Sequence, residues 1–261
     1  VYKRQLQNIP IRSEAGQKIR RGFVTEPGWV FLAADYSQVE LRVLAHISQD
    51  EALIEAFLQD QDIHSTTAAA VYNVPVEEVT FNQRRFAKAV NFGLIYGMGA
   101  FRLSRDSEFT LAEAENYINE YFESFPGIRR YLDETKEKAR TEGYVETLMG
   151  RRRYFPIFKM PASGSNRQLM MRAEREAVNH PIQGTAADII KIAMQRLHEA
   201  LADYQARMVL QVHDELVLEV PEEELEEVQK LMVDIMTGAL ELDVPLKVDT
   251  STGTNWLELK S

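Results

Sequence analysis

The sequence contains no cysteine. This excludes disulfides, thiolate metal centres and cysteine nucleophiles. It also fits a cytoplasmic location, which is the expectation. No apolar run approaches the roughly 20 residues needed to cross a bilayer, so no membrane partner is expected. The opening "VYKRQLQNIP" lacks both an initiating Met and the apolar stretch of a signal peptide. It reads as the cut edge of a longer protein, with the first five residues suspect as native sequence. No internal repeat, low-complexity tract or flexible linker is present.

The 261 residues are 45% apolar and 27% charged, the balance of a soluble globular protein with one large or two small domains. The net charge of -10 argues against a protein that coats nucleic acid nonspecifically. The charge is unevenly placed. Acidic residues gather in "EVPEEELEEVQK" (219–230), basic ones in "RRFAK" (84–88), "GRRRY" (150–154) and "RQLMMRAER" (167–175). A basic groove on an acidic body is therefore allowed.

"GWVFLAADYSQVEL" (28–41) reads as a buried strand ending at Asp35, followed by a helix through "ELRVLAHIS". Residues 50–140 are mostly helical in pattern, interrupted at Pro75 and Pro126. "GYVETLMGRRRYFP" (143–156) reads as a hairpin turning at Gly150. The stretch 166–201 predicts two helices, the first ending near Pro181 and the second capped by Thr185. "RMVLQVHDELVLEVP" (207–221) is a hairpin with His213, Asp214 and Glu215 at its tip. An amphipathic surface helix and a last strand follow. The pattern predicts an α+β fold, an antiparallel sheet with packed helices and a mostly helical insertion.

Asp35 ends an apolar strand, and Asp214 and Glu215 sit between two more. Carboxylates there suffer repulsion and desolvation unless something compensates. Solvated loop acids are one reading and a divalent-cation site is the other. Mg2+ takes oxygen ligands, commonly one or two carboxylates plus substrate phosphates, and two such ions clamp an in-line displacement at phosphorus. This chemistry alone does not separate a polymerase from a nuclease.

"RRFAKAVNFGLIYGMG" (84–99) places Arg84, Lys88, Phe92 and Tyr96 four residues apart, a slanted stripe on one side of a helix. Cations suit phosphates and rings suit bases. Gly93 and Gly97 allow a close approach or a bend of the helix end. A partly aromatic core face with solvated cations fits the same pattern.

Together these stretches resemble the DNA polymerase I family (family A). The likeness lies in "DYSQVELRVLAH" (35–46), "RRFAKAVNFGLIYG" (84–97) and "QVHDELVLEV" (211–220). "LQNIP", "DIH", "GYVETLMGRRR", "NHPIQGTAADIIK" and "NWLE" follow the family order as well. The resemblance covers nearly the whole chain after Gln5. It implies a palm over 1–61 and 162–261, truncated at its start, and fingers over 62–161. It implies two Mg2+ ions, with Mn2+ able to substitute, held by Asp35, Asp214 and the Tyr36 carbonyl, with Glu215 nearby. Lys88 would meet the α-phosphate and donate a proton to pyrophosphate, and Arg84 and His64 would meet the outer phosphates. Gln38, Phe92 and Tyr96 would line the dNTP site, and Glu40 would reject a ribonucleotide. Gln7, Asn8, Arg175, Asn179, Gln183 and His213 would contact DNA.

The implied partners are primer–template DNA and dNTPs, the implied state a monomer, and the implied activity template-directed DNA synthesis in replication and repair. Gly99 and Arg102 depart from the family's usual Ser and Gly without touching a catalytic position. The thumb and upstream palm are missing, so one alternative is a catalytically inactive DNA-binding fragment. A two-metal nuclease is another, though it needs neither Glu40 nor a triphosphate-gripping helix. Glu40 and "QVHDE" argue against a related single-subunit RNA polymerase.

Overall fold

The computed structural model describes residues 6–11, 13–107, 109–161, 163–164 and 166–259; the side chains of Gln7 and Phe92 also fall outside it. The chain divides into two units. One comprises Val1–Val39, Ala186–Glu241 and Leu246–Ser261, the other Glu40–Thr185 and Leu242–Pro245. The suspected non-native residues 1–5 lie outside the described residues.

The first unit is built on a four-stranded sheet in the order β4-β5-β1-β6, from β1 (Trp29–Tyr36), β4 (Arg207–Val212), β5 (Glu215–Pro221) and β6 (Val248–Gly253). Every pairing is antiparallel, as expected. Pleating puts alternate residues on opposite faces. One face carries Phe31, Ala33 and Val217, packed with Val212, Trp256 and Leu259. Trp256 is 1% exposed, and the guanidinium of Arg20, from α1 (Glu14–Arg21), lies 4.1 Å over its ring. The other face carries the cross-strand partners Leu32 and Leu218, both fully buried. Helix α10 (Leu225–Thr237) buries Val228, Met232 and Met236 at four-residue spacing, and the Tyr36 hydroxyl donates to the Met236 carbonyl at 2.7 Å. The register of β4 against β5 shifts between Met208 and Leu210, a bulge in an otherwise regular ladder.

The second unit is mostly helical: α2 (Val39–Ser48, from its second residue), α3 (Glu51–Leu58), α4 (Ile63–Tyr72), α5 (Phe81–Ile95), α6 (Ala100–Arg105), α7 (Leu111–Ser124) and α8 (Pro126–Glu142). Pro126 interrupts the pattern by starting a helix, at a position where its missing N–H has no partner to lose. Asp50 caps α3 through Leu53 N–H and accepts Gly127 N–H at 2.8 Å, joining the starts of α3 and α8. The expected hairpin is β2 (Tyr144–Glu146) with β3 (Arg152–Tyr154).

Two expectations are corrected. Residues 166–201 do not break into two helices, because α9 runs unbroken from Arg167 to Ala200 with Pro181 inside it. Thr185 is fully buried and its hydroxyl accepts Leu148 N–H at 3.0 Å, so it braces the β2–β3 loop instead of capping a helix. Arg151 adds a bond to the Gly184 carbonyl at 2.9 Å. Tertiary bonds on the turn after Pro181 thus outweigh the local breaker signal. Glu215 is not at the hairpin tip either. It lies in β5 and is 2% exposed. Among the described residues, no helix is long and apolar enough to cross a membrane.

Candidate active site

The chemistry-bearing residues form a cluster in each unit. In the sheet, Asp35 of β1 faces Glu215 of β5 and Asp249 of β6 in register. Directly opposed residues share a face, so these side chains form one row across adjacent strands. Asp214 follows in the β4–β5 turn, where its carbonyl accepts Tyr36 N–H at 3.2 Å. That bond sets Asp214 beside Tyr36, the residue after Asp35, although the two acids are far apart in sequence. Gln38 and His213 flank the row with φ of 54° and 57°, a left-handed conformation that costs a non-glycine residue about 1 kcal/mol or more. Burial and the lost hydration of its anion push the Tyr36 phenol well above its ordinary range. Among the described residues, no group of three or more acids or histidines has metal-holding geometry.

In the helical unit, α5 presents Arg84, Lys88 and, at its end, Tyr96. Lys88 is exposed. Arg84 is held by Asp62 through a short Nε–H to Oδ2 bond. Asp62 is also the N-cap of α4, accepting His64 N–H at 3.1 Å and Ser65 hydroxyl at 2.9 Å. Burial raises its pKa, but the bonds from Arg84, Ser65 and the backbone prevail and hold it below the usual carboxylate value. His64 is 2% exposed. Burial, reinforced by the charges of Lys88 and Arg84 and opposed by Asp62, lowers its pKa to about 4, so the ring is neutral at pH 7. Tyr96 donates a short hydrogen bond to the carboxylate of Glu40 at the start of α2. The side chain of Phe92 lies outside the described residues.

The two glycines of α5 differ. Gly93 lies within the helix, while Gly97 lies beyond its end with φ of 75°. Gly97 N–H bonds Leu94 carbonyl at 2.9 Å and Met98 N–H bonds Gly93 carbonyl at 2.8 Å, the paired bonds of a Schellman stop. A Cβ at 97 would also sit 2.7 Å from Cγ of Arg175. Gly97 therefore serves both the helix end and a close approach.

Arg175, Asn179 and Gln183 recur every four residues on α9 and form one stripe, with Arg175 and Gln183 exposed and Asn179 half-buried. Asn179 Oδ1 is buried and, among the described residues, accepts no hydrogen bond. Asn8 is exposed in a short 3₁₀ turn, and the Gln7 side chain lies outside the described residues.

Residues 2–258 match the family described as DNA polymerase family A. The chain belongs to that family. It is 52% identical over 258 residues to "DNA polymerase I" of Bacillus subtilis (strain 168), covering 98% of this chain and 29% of that protein. It is 51% identical over 255 residues to "DNA polymerase I, thermostable" of Thermus filiformis, covering 98% of this chain and 30% of that one. The chain thus spans about 30% of the length of the curated relatives it matches. A solved structure, the POL domain of Pol1 from M. smegmatis in complex with DNA primer-template and dNTP, superposes with a TM-score of 0.91 at 46% identity. That match covers 97% of this chain and 45% of that chain.

Against this family-A background, three residues near the site went unread in the sequence. Asp62, in "DIH", carries a readable N-cap signal, a carboxylate just ahead of a helical run. Asn91, 1% exposed and bonded to Thr67 and His64 of α4, carries no sequence signal, because those contacts depend on how α4 and α5 pack. Asp249 joins the carboxylate row only through the pairing of β6 with β1, which local patterning does not reveal.

Proposed function

We propose that the chain is the palm and fingers portion of a DNA-directed DNA polymerase, transferring a nucleotidyl group from dNTP to a primer 3′-OH in DNA replication and repair. The observation that carries this is the bond from Tyr36 N–H to the Asp214 carbonyl, which sets Asp214 at the end of the sheet where Asp35 lies, in a chain of family A whose α5 bears the cations a triphosphate needs. The assignment is palm for 1–61 and 162–261 and fingers for 62–161. The working state is a monomer on primer–template DNA in the cytoplasm.

The donor set suits a hard divalent cation, since it consists of carboxylate and carbonyl oxygens in a chain without thiols. Asp35, Asp214 and the Tyr36 carbonyl would hold two Mg2+ ions or Mn2+, with Glu215 adjoining. Two carboxylates suffice where substrate phosphates supply the remaining oxygens. The ions, when bound, would supply charge neutralisation at the phosphorus and a more acidic 3′-OH.

The side chains of the chain itself do the rest. Lys88, exposed on α5, meets the α-phosphate and gives a proton to the departing pyrophosphate. Arg84 and His64 meet the outer phosphates, and Gln38 and Phe92 line the nucleotide. Tyr96 holds Glu40 in place, and a carboxylate fixed beneath the sugar leaves no room for a 2′-hydroxyl. The α9 stripe of Arg175, Asn179 and Gln183, with His213, Gln7 and Asn8, contacts the DNA.

The test is primer extension by a chimera in which this chain replaces the matching segment of Bacillus subtilis DNA polymerase I. Extension with dNTPs, little with NTPs, and none in Asp214→Ala is expected. Extension that survives Asp214→Ala defeats the mechanism, and strand cleavage without extension favours a nuclease.

A further inference from the structure

Between α4 and α5 lies a chain of hydrogen bonds through three buried polar side chains. Thr67 and Asn91 are each 1% exposed and His64 is 2% exposed. Its direction can be worked out from one end. The Thr67 hydroxyl has a single hydrogen, and it goes to the Ile63 carbonyl at 2.8 Å. Thr67 Oγ1 must therefore accept from the Asn91 side-chain atom 2.9 Å away, which fixes that atom as the amide nitrogen. The same Nδ2 lies 3.2 Å from His64 Nδ1. An amide NH2 only donates, so Nδ1 accepts and carries no hydrogen. A neutral ring then has its hydrogen on Nε2. The alternative amide orientation would set an oxygen against the Thr67 oxygen, whose hydrogen is already committed.

Two further facts make the tautomer matter. Asp62 and Arg84 are bound to each other close by, and Lys88 and Arg84 both act on the imidazole electrostatically. A third full positive charge there would be repelled by the first two, whereas a neutral N–H adds a directional donor without that cost. The ring is neutral because burial and those two cations hold its pKa near 4.

We propose that Asn91 is a positioning residue for the nucleotide. Anchored by Thr67, its amide holds His64 as the Nε2–H tautomer, so that the imidazole offers a phosphate a neutral donor beside two cationic ones. This rests on the reading of α5 as the triphosphate-binding helix. The ring is covered in the structure, so the Nε2–H edge has to be uncovered when a nucleotide binds.

Two measurements test this. The first is 15N-edited NMR of the imidazole nitrogens in this chain at pH 7, with the His64 signals assigned by loss in His64→Gln. A protonated Nε2 and an unprotonated Nδ1 are expected, and the reverse tautomer or an imidazolium overturns the inference. The second uses the Bacillus subtilis chimera. Asn91→Asp keeps the side-chain shape but turns the donor into an acceptor, which demands a hydrogen on Nδ1. It should raise KM for dNTP about tenfold, with a smaller change in kcat, and His64→Gln should add little on top of it (a tenfold change is about 1.4 kcal/mol). Thr67→Val, which removes the anchor and keeps the shape, should shift KM the same way by a smaller factor. An unchanged KM where NMR shows the tautomer reversed overturns the inference alone. A wild-type chimera that binds no dNTP overturns the functional reading and the inference with it, whatever the tautomer.

Discussion

At the end of the sheet, backbone pairing decides which acids meet; along α5, side-chain bonds decide which cations are held. Asp35, Glu215 and Asp249 form a row because three antiparallel strands share a register. No side chain has to move to bring them together. Arg84, by contrast, is bound to Asp62, and His64 is held in a buried network. Backbone geometry therefore presets the acidic cluster, whereas the basic cluster is held by contacts that a ligand can compete for. Similar residue counts can thus yield one rigid site and one adjustable site.

Several changes would break or sharpen this contrast. The largest effect belongs to the preset cluster. Asp35→Asn or Asp214→Asn in the chimera should cut primer extension ~10³-fold, as loss of several kcal/mol of charge stabilisation requires, while the melting temperature of the chain holds. If Lys88 serves the nucleotide as proposed, Lys88→Ala should lower kcat ~10²-fold, within the range for a lost general acid, with duplex binding by gel shift nearly unchanged.

Next comes pH. His64 has a folded-state pKa of about 4, below its value in an unfolded chain. The unfolded state therefore binds the extra proton between those values, and stability falls as pH drops through that window. At pH 5 the loss is about 2 kcal/mol relative to neutral pH, seen as a lower denaturant midpoint that His64→Gln should flatten. Gly97→Ala forces a side chain into a left-handed residue and should cost about 1–2 kcal/mol, read as a fall of a few degrees in melting temperature. The smallest effect tests adjustability itself. Asp62→Asn keeps the cap oxygen for α4 but loosens Arg84. Since a partly exposed ion pair contributes about 0.2–1 kcal/mol, KM for dNTP should fall up to about fivefold. A rise in KM instead would mean that Asp62 orients Arg84 for the nucleotide and does not compete for it.

The sheet was legible because its signals are local. Trp29–Ala34 is an apolar run, and two apolar strands flank His213-Asp214, so strands and turn could be read residue by residue. The amphipathic α10 and the Gly150 turn were legible for the same reason. Pro181 misled, because α9 runs through it, and the turn that follows is held by Leu148 and Arg151, from a hairpin at least thirty residues earlier in the chain. The basic face of α5 was legible as a stripe, yet its engagement with Asp62 and the bonds of Asn91 to Thr67 and His64 were not. Both depend on how α4 and α5 meet, which no periodicity encodes. The likeness to family A supplied site roles, but not these internal contacts.

The bulge between Met208 and Leu210 has a consequence for how β4 tolerates change. Because side chains alternate, a slip of one residue in a regular ladder turns a whole strand face over. An irregularity part-way along β4 works like an expansion joint in a rail. The pairing before the joint, Met208 with Leu218, is offset by one from the pairing after it, where Val212 stands opposite Glu215. The tip that carries Asp214 is thereby insulated from the strand that leads to it.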